Sequence, residues 1–155
     1  MNYQAVRAAI EGPLLTAYNS LSPAIPVYFD NVMNDSEYNT EEFVQVNIQF
    51  GLTTEDTLST DFDRIRGLVV IRVYTEKNKG AARNQTLMDT AFTVLRTLNT
   101  TPKPSTGTYV RLNDVNGPTF TPMLTGDAPD QQSRRAFTPF FISRVSAGFQ
   151  AQVIV

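Results

Sequence analysis

The side chains with the most evident chemical potential in this chain lie between residues 55 and 72. Four carboxylates come first and three arginines follow: Glu55, Asp56, Asp61, Asp63, Arg64, Arg66 and Arg72. The carboxylates could ligate a hard cation, but they lack the spacing and the turn glycine of an EF-hand loop. Opposite charges can also hold two protein surfaces in register. We therefore interpret these seven residues as subunit contacts or as the lining of a pore, and we predict no metal site.

The residue types that the chain lacks restrict its catalytic repertoire. It contains no Cys, no His and no Trp. Cysteine nucleophiles, thiolate or imidazole zinc sites and Ser-His relays are therefore excluded. An enzyme would have to use carboxylates, Lys, Tyr or an oxygen-liganded metal. We predict a protein that acts by contact, with no catalytic residues and no cofactor.

The charges are divided unevenly along the chain. Residues 1–63 hold one base and ten acids, a net charge of −9, whereas residues 64–155 hold twelve bases and five acids, a net charge of +7. Such asymmetry is typical of nucleic-acid binding by one half or of complementary contacts between subunits. Two halves that mix their charges on one surface would also produce it. Because the bases are spread over some eighty residues, sequence-specific DNA binding is not expected.

Hydrophobic periodicity places the main elements. Apolar residues recur at helical spacing over 3–21 and 81–98, and Gly12-Pro13 predicts a kink or a break in the first of these helices. Strict alternation of apolar and polar residues predicts a half-buried strand over 43–50. Apolar residues at alternate positions of 65–74 predict a second strand, whose other face is mixed. The intervening residues 51–64 are acidic and turn-rich, which predicts a long loop or arm.

The last third of the chain is harder to assign. "TYVRL" indicates a short strand, whereas "NDVNGPTFTPMLTGDAPDQQSRRA" has mostly turn chemistry. Residues 145–155 carry no charge and are rich in β-formers, so they must pair inside the sheet or be buried against another subunit. Together these patterns predict one α+β domain over 1–155: a mixed, mostly antiparallel sheet packed against two main α-helices, with a long acidic inter-strand loop.

Targeting signals are not evident in the sequence. No apolar run reaches the ~20 residues of a transmembrane helix, and the first residues do not resemble a secretion signal. We expect no membrane association and a cytoplasmic site of synthesis.

The order of parts in the first two thirds of the chain resembles the tail terminator proteins of long-tailed bacteriophages, the lambda-type family and its relatives. The similarity rests on five stretches: "AVRAAIEGPLL", "IPVYFDNV", "FVQVNIQF", "RGLVVIRVYTEKNKG" and "ARNQTLMDTAFTVLRTL". These are patterns of residue type rather than catalytic signatures.

The resemblance implies a structural virion protein of the tail or neck. Such proteins form a homo-oligomeric ring, typically a hexamer, on the head-proximal end of the tail tube, where they stop polymerisation and present the head-docking surface. The implied partners are other copies of the chain, the tail tube protein and a head-closure or neck protein. DNA would pass through the lumen without sequence-specific binding.

Three alternatives remain at this point. The nearest is another head–tail junction component, such as a head-closure or connector protein. A carboxylate- and metal-dependent enzyme using Asp61 and Asp63 is more distant. The third is a nucleic-acid-binding module, which would require a steep salt dependence of DNA binding.

Overall fold

Two helices and five strands form the described part of the chain. The computed structural model describes residues 3–30, 42–55, 62–76, 81–120 and 140–154. The elements are α1 Tyr3–Asn19, β1 Val27–Tyr28, β2 Phe43–Glu55, β3 Phe62–Glu76, α2 Ala82–Thr100, β4 Gly107–Phe120 and β5 Phe140–Ile154. The strand order is β1-β2-β3-β5-β4, with β1 and β2 parallel and all other pairs antiparallel. This arrangement confirms the predicted α+β class and the mostly antiparallel sheet.

Both helices pack on the same face of the sheet, as their apolar stripes predict. Val6, Ile10, Leu14 and Tyr18 of α1 are fully buried at a spacing of four residues. In α2 the core residues are Leu87, Met88, Ala91, Val94 and Leu95. The Tyr18 hydroxyl donates a 2.7 Å hydrogen bond to the Leu87 carbonyl oxygen, which ties the two helices together.

Helix α1 continues through Gly12 and Pro13, so the predicted break does not occur. A proline ring normally clashes with the Cβ and backbone of the preceding residue in helical conformation. Gly12 has no Cβ, and this removes part of the clash. Pro13 leaves one backbone hydrogen bond of the helix unmade. The packing of the buried stripe from Val6 to Tyr18 stabilises the helix by more than this loss costs.

Strands β2 and β3 run further than their alternation predicts. Residues 51–55 and 62–64, which the sequence assigns to the loop, belong to the strands. Pairing shifts between Phe50 and Thr53, because two residues of β2 oppose one residue of β3 at a β-bulge. The bulge breaks the period of two and thus hides the second half of the strand. Of the predicted loop, residues 56–61 lie outside the described residues.

The C-terminal strand is an interior strand of the sheet, next to the edge strand β4. β5 pairs with β3 along its whole length and with β4 on its other side. The prediction that this uncharged segment pairs inside the sheet is therefore confirmed. Because β3 and β4 already pair with its two edges, β5 offers no open edge to a neighbouring sheet.

Strand β4 is much longer than the five residues "TYVRL". It spans Gly107–Phe120 and shifts register twice, after Leu112 and after Asn116. The second shift contains Gly117, whose φ of +112° favours glycine. The Asn, Asp, Gly and Pro residues of this stretch predict a turn. They lie in a strand instead, because β5 pairs with it and because an edge strand tolerates such residues at β-bulges.

A buried amide anchors the start of α2 to the sheet. The Asn84 side chain is fully buried, and its Nδ2 donates to the carbonyl oxygens of Val73 and Phe141, each at 3.1 Å. Nδ2 also lies 3.2 Å from the Thr75 hydroxyl, and the Ser143 hydroxyl donates to Asn84 Oδ1. One side chain therefore joins the helix to β3 and β5.

Candidate functional site: the open face of the sheet

The two faces of the sheet differ in character. Val46, Ile71 and Val145 share the face against the helices and belong to the core. Neither helix packs on the opposite face, which we call the open face, although Phe43 and Val70 on it are buried. Residues that are directly opposite in paired strands share a face, so the strand register assigns each side chain on it.

The three arginines predicted from the sequence lie together on the open face. Arg64, Arg66 and Arg72 are all on β3 and alternate with buried residues such as Ile65 and Ile71. Arg66 is exposed, whereas Arg64 and Arg72 are half-buried.

Two further arginines join them from other strands. Arg144 of β5 stands directly opposite Arg72, and Arg111 of β4 stands opposite Gln150, whose other neighbour is Arg66. Both new arginines are exposed. We call these five residues the basic face: Arg64, Arg66, Arg72, Arg111 and Arg144.

The basic face includes residues that the sequence analysis did not single out. Arg111 and Arg144 each alternate with buried neighbours, Val110 and Leu112 in one strand and Ser143 and Val145 in the other. That alternation was a usable signal of an outward position. What it could not reveal is that the two residues lie next to β3.

The predicted acidic residues are only partly within the described chain. In the backbone register Glu55 of β2 is directly opposite Asp63 of β3, at the end of the hairpin. Asp56 and Asp61 lie outside the described residues. The structure thus brings two of the four positions together and does not describe the other two.

Arg72 belongs to a hydrogen-bonded chain that reaches the sheet edge. It donates to Asn47 Oδ1 at 2.9 Å, and Asn47 Nδ2 donates to Asp30 Oδ1 at 2.7 Å. Asp30 Oδ2 accepts from the Ile48 backbone N–H at 3.0 Å and from Arg7 Nη1 at 2.5 Å. Asp30 thereby accepts from a backbone N–H of β2, that of Ile48, which lies beyond the two residues that pair with β1.

The electrostatics of Asp30 follow from these contacts. Burial by itself would raise the pKa of Asp30, but hydrogen bonds from Asn47, Arg7 and the Ile48 backbone outweigh it, so the pKa lies below its ordinary value of 3.8. The same partnership raises the pKa of Arg7, although burial opposes this shift. The edge of β2 is therefore closed by an ionised carboxylate at neutral pH.

An aromatic ring supports one arginine of the basic face. The Arg111 guanidinium lies 5.4 Å from the centre of the Tyr109 ring, and Arg111 Nε donates to the Tyr109 hydroxyl. Tyr109 is opposite Gln152, whose other neighbour is Arg64. The stacked pair holds the guanidinium in place with its remaining donors available to a partner.

Two shallow clefts flank α2 on the helix side. Their described lining residues are Phe92, Leu95, Arg96, Asn99, Leu112 and Val115 in one, and Ala9, Leu98, Thr101, Pro102, Pro104, Thr108, Tyr109 and Val110 in the other. Neither set contains a carboxylate. In the described ranges, no three acidic side chains gather into a group that could hold a metal ion. No helix there is long and apolar enough to cross a membrane.

The comparison with known proteins shows the fold alone. One solved structure of similar fold, which carries no functional description, covers 97% of this chain and 96% of its own, at 18% sequence identity and a TM-score of 0.60. No protein-family model and no curated protein matches the chain.

Proposed function

We propose that this chain is a non-enzymatic structural protein of a long-tailed bacteriophage, a tail terminator. In this proposal several copies, six in the typical case, form a ring on the head-proximal end of the tail tube. The ring stops tube polymerisation and offers the surface onto which the head docks, with DNA passing through its lumen. The chain would then be part of the virion, at the tail or neck.

The observation that carries the proposal is the open face of the sheet. A two-layer domain hides one face of its sheet under helices, and here the other face carries five arginines, three of them exposed. Such a surface suits a protein that works by contact. The resemblance of residues 1–98 to tail terminators supplies the particular kind of contact.

The acids of the β2–β3 hairpin have a place in the same proposal. Glu55, Asp56, Asp61 and Asp63 would face the lumen or a neighbouring subunit, and Arg64, Arg66 and Arg72 would lie across a subunit boundary. A ring requires a heterologous interface, in which one patch meets a different patch on the next copy. Oppositely charged patches satisfy that requirement.

The decisive experiment uses tail tubes assembled from the purified tube protein of the same phage. The chain is added in labelled form, and electron microscopy records which ends it occupies while tube length is followed over time. Binding to one end only, with growth arrested at that end, is the expected result. Binding along the tube wall, or continued growth, contradicts tail termination.

A second set of particles separates tail termination from the neighbouring role. Filled heads that lack a tail present portal-side proteins instead of a tube end. A chain that binds these heads and ignores tubes would be a head-closure or connector protein. Both roles belong to the head–tail junction, but only the tube end distinguishes a terminator.

A further inference from the structure

Strand β4 lies at an outer edge of the sheet. β5 pairs with one side of it, and its other side pairs with no strand of the described residues. The strand is 14 residues long, and its first half, "GTYVRL", is rich in β-forming side chains. An edge strand of this kind exposes backbone N–H and C=O groups, which can pair with a strand of another molecule. Unless these groups are occupied, copies of the chain can join edge to edge.

Asn99, in the last turn of α2, occupies the backbone groups of Leu112 in β4. Its Oδ1 accepts a hydrogen bond from the Leu112 N–H at 2.7 Å, and its Nδ2 donates to the Leu112 carbonyl oxygen at 3.1 Å. Opposite residues of two antiparallel strands exchange the same two hydrogen bonds. The Asn99 side chain therefore lies where an additional strand would pair.

Thr108 and Val110 share the backbone orientation of Leu112. Opposite residues of an antiparallel pair alternate between exchanging both hydrogen bonds and exchanging none, so all three direct their backbone groups away from β5. Thr108 and Val110 line a cleft together with Pro102 and Pro104. Because proline has no N–H, these two neighbours offer no backbone donor to the edge. The chain that flanks 108–112 thus completes the hydrogen bonds of one residue and cannot itself act as a pairing strand.

The second half of β4 is unsuited to pairing for other reasons. Its two register shifts, after Leu112 and after Asn116, interrupt the straight row of backbone groups that a partner strand requires. Pro118 lacks a backbone donor, and the exposed Asp114 adds a charge. Bulges, prolines and charged side chains are the means by which natural edge strands avoid pairing with other chains.

The other side of the sheet has a comparable arrangement. β1 pairs only with Val44 and Gln45 of β2, and beyond it Asp30 accepts from the Ile48 N–H at 3.0 Å. The bulge after Phe50 then shifts the register of β2. On both outer sides of the sheet, a polar side chain from another segment thus bonds to a backbone group that a partner strand would use.

We propose that Asn99 closes the outer edge of β4 against strand addition, so that the sheets of separate copies do not join. In the proposed ring each copy would then keep a sheet of its own and contact its neighbours through faces, loops or helices. The closed edge itself does not depend on the ring, because it applies wherever two copies meet.

The test follows Asn99→Ala by hydrogen–deuterium exchange with mass spectrometry at low and at high protein concentration. The substitution removes both hydrogen bonds to Leu112, so at low concentration peptides covering 107–112 should exchange roughly tenfold faster than in the wild type. At high concentration the opened edges should pair, and the exchange of these peptides should become slower again. In the wild type it should not depend on concentration.

Three further variants separate edge closure from loss of stability. Asn84→Ala removes a buried amide that bonds to the interior strands β3 and β5, so its exchange at 107–112 should not depend on concentration. Asn99→Asp keeps an acceptor for the Leu112 N–H and adds a charge, so it should stay closed as the wild type does. Asn99→Ser, with a side chain too short to reach both groups, should open the edge as alanine does. Circular dichroism first establishes that each variant is folded.

Several results would overturn the proposal. Slower exchange at 107–112 in the concentrated wild type would mean that copies already pair through β4. Concentration-independent exchange in both opening variants, or the same concentration dependence in Asn84→Ala, would mean that Asn99 only stabilises the end of α2. Capping of tail tubes is a separate measurement: a wild type that caps no tubes contradicts tail termination and leaves the closed edge standing.

Discussion

At the scale of single residues, two buried polar side chains and one half-buried carboxylate join elements distant in sequence. Asn84 joins α2 to β3 and β5, Tyr18 joins α1 to α2, and Asp30 closes the edge of β2. Burial raises the pKa of the Tyr18 hydroxyl, which therefore remains a neutral donor across the physiological range. Each of these groups is satisfied by hydrogen bonds, as buried polar atoms must be to avoid a desolvation penalty.

Replacing Asn84 with alanine should destabilise the protein by about 2–4 kcal/mol, since an unsatisfied buried group costs ~1–3 kcal/mol and several lose their partner here. Urea unfolding followed by circular dichroism measures the change. Gln85→Ala, at the exposed neighbouring position of α2, should change the free energy of unfolding by less than about 0.5 kcal/mol. Equal effects of the two substitutions would show that the Asn84 hydrogen bonds contribute little.

The contribution of Asp30 should depend on pH. Its pKa is lower in the folded chain than in the unfolded chain, so its stabilisation is fully present above the ordinary value of 3.8 and is lost as pH falls below it. Asp30→Asn should therefore lower the free energy of unfolding at pH 7. The difference in this free energy between the variant and the wild type should become smaller below about pH 4. Asp89→Asn, on the exposed side of α2, controls for loss of a carboxylate. A gap that stays constant down to pH 2.5 would contradict this role for Asp30.

At the scale of elements, the centre of the sheet depends on a matched row across four strands. Phe50, Gly67, Phe149 and Leu112 are opposite one another from β2 to β4. Phe149 is fully buried and its ring lies against Gly67, where any larger residue would place a Cβ atom in the space of the ring and of the Gln49 carbonyl oxygen. Glycine is thus required at position 67 because there is no room for a side chain, not because of its backbone conformation.

Gly67→Ala should destabilise the protein by about 2–3 kcal/mol, because overpacking of a filled core forces side chains or backbone to move. Gly148→Ala is the matched control on the adjacent strand, where the nearest atoms to a new Cβ lie 3.6 Å or more away. That substitution should be neutral within about 0.5 kcal/mol. Chemical denaturation of both variants ranks them, and the reverse order would refute the packing argument.

At the scale of the whole molecule, the sheet has one apolar side and one basic side. The helices and the inner face of the sheet share one hydrophobic cluster, with α1 contributing Val6 and Tyr18 and β5 contributing Val145 and Phe149. Because the first helix and the last strand belong to the same core, neither end of the described chain forms an independent unit. The basic side lies on the opposite face and is not needed to form this core.

This shared core predicts cooperative unfolding. Urea transitions measured by far-ultraviolet circular dichroism, which reports helices and strands, should coincide with those measured by tyrosine fluorescence, to which buried Tyr18 contributes. Arg66→Glu, Arg144→Glu should keep this single transition, since both side chains are exposed. Separate transitions for the two probes would indicate that α1 unfolds before the sheet.

The sequence by itself determined the elements whose signals are local. Alternation is a property of successive residues, so it predicted β2 and the central part of β3, and the 3.6-residue stripe predicted α2. Alternation also placed Arg64, Arg66 and Arg72 on one face of one strand, because side chains of a strand point alternately to its two faces. The fold class followed from the order of these elements.

Only the tertiary structure decided which strands are neighbours. β5 lies between β3 and β4 although 63 residues separate Glu76 from Phe140, and this pairing brings Arg144 opposite Arg72 and places Arg111 one strand further on. It also turned a sequence with turn chemistry into the long edge strand β4, since hydrogen bonds from a partner outweigh local preference. Long-range pairing leaves no periodic trace in either strand alone, and for this reason bases spread over eighty residues could not be recognised in advance as one surface.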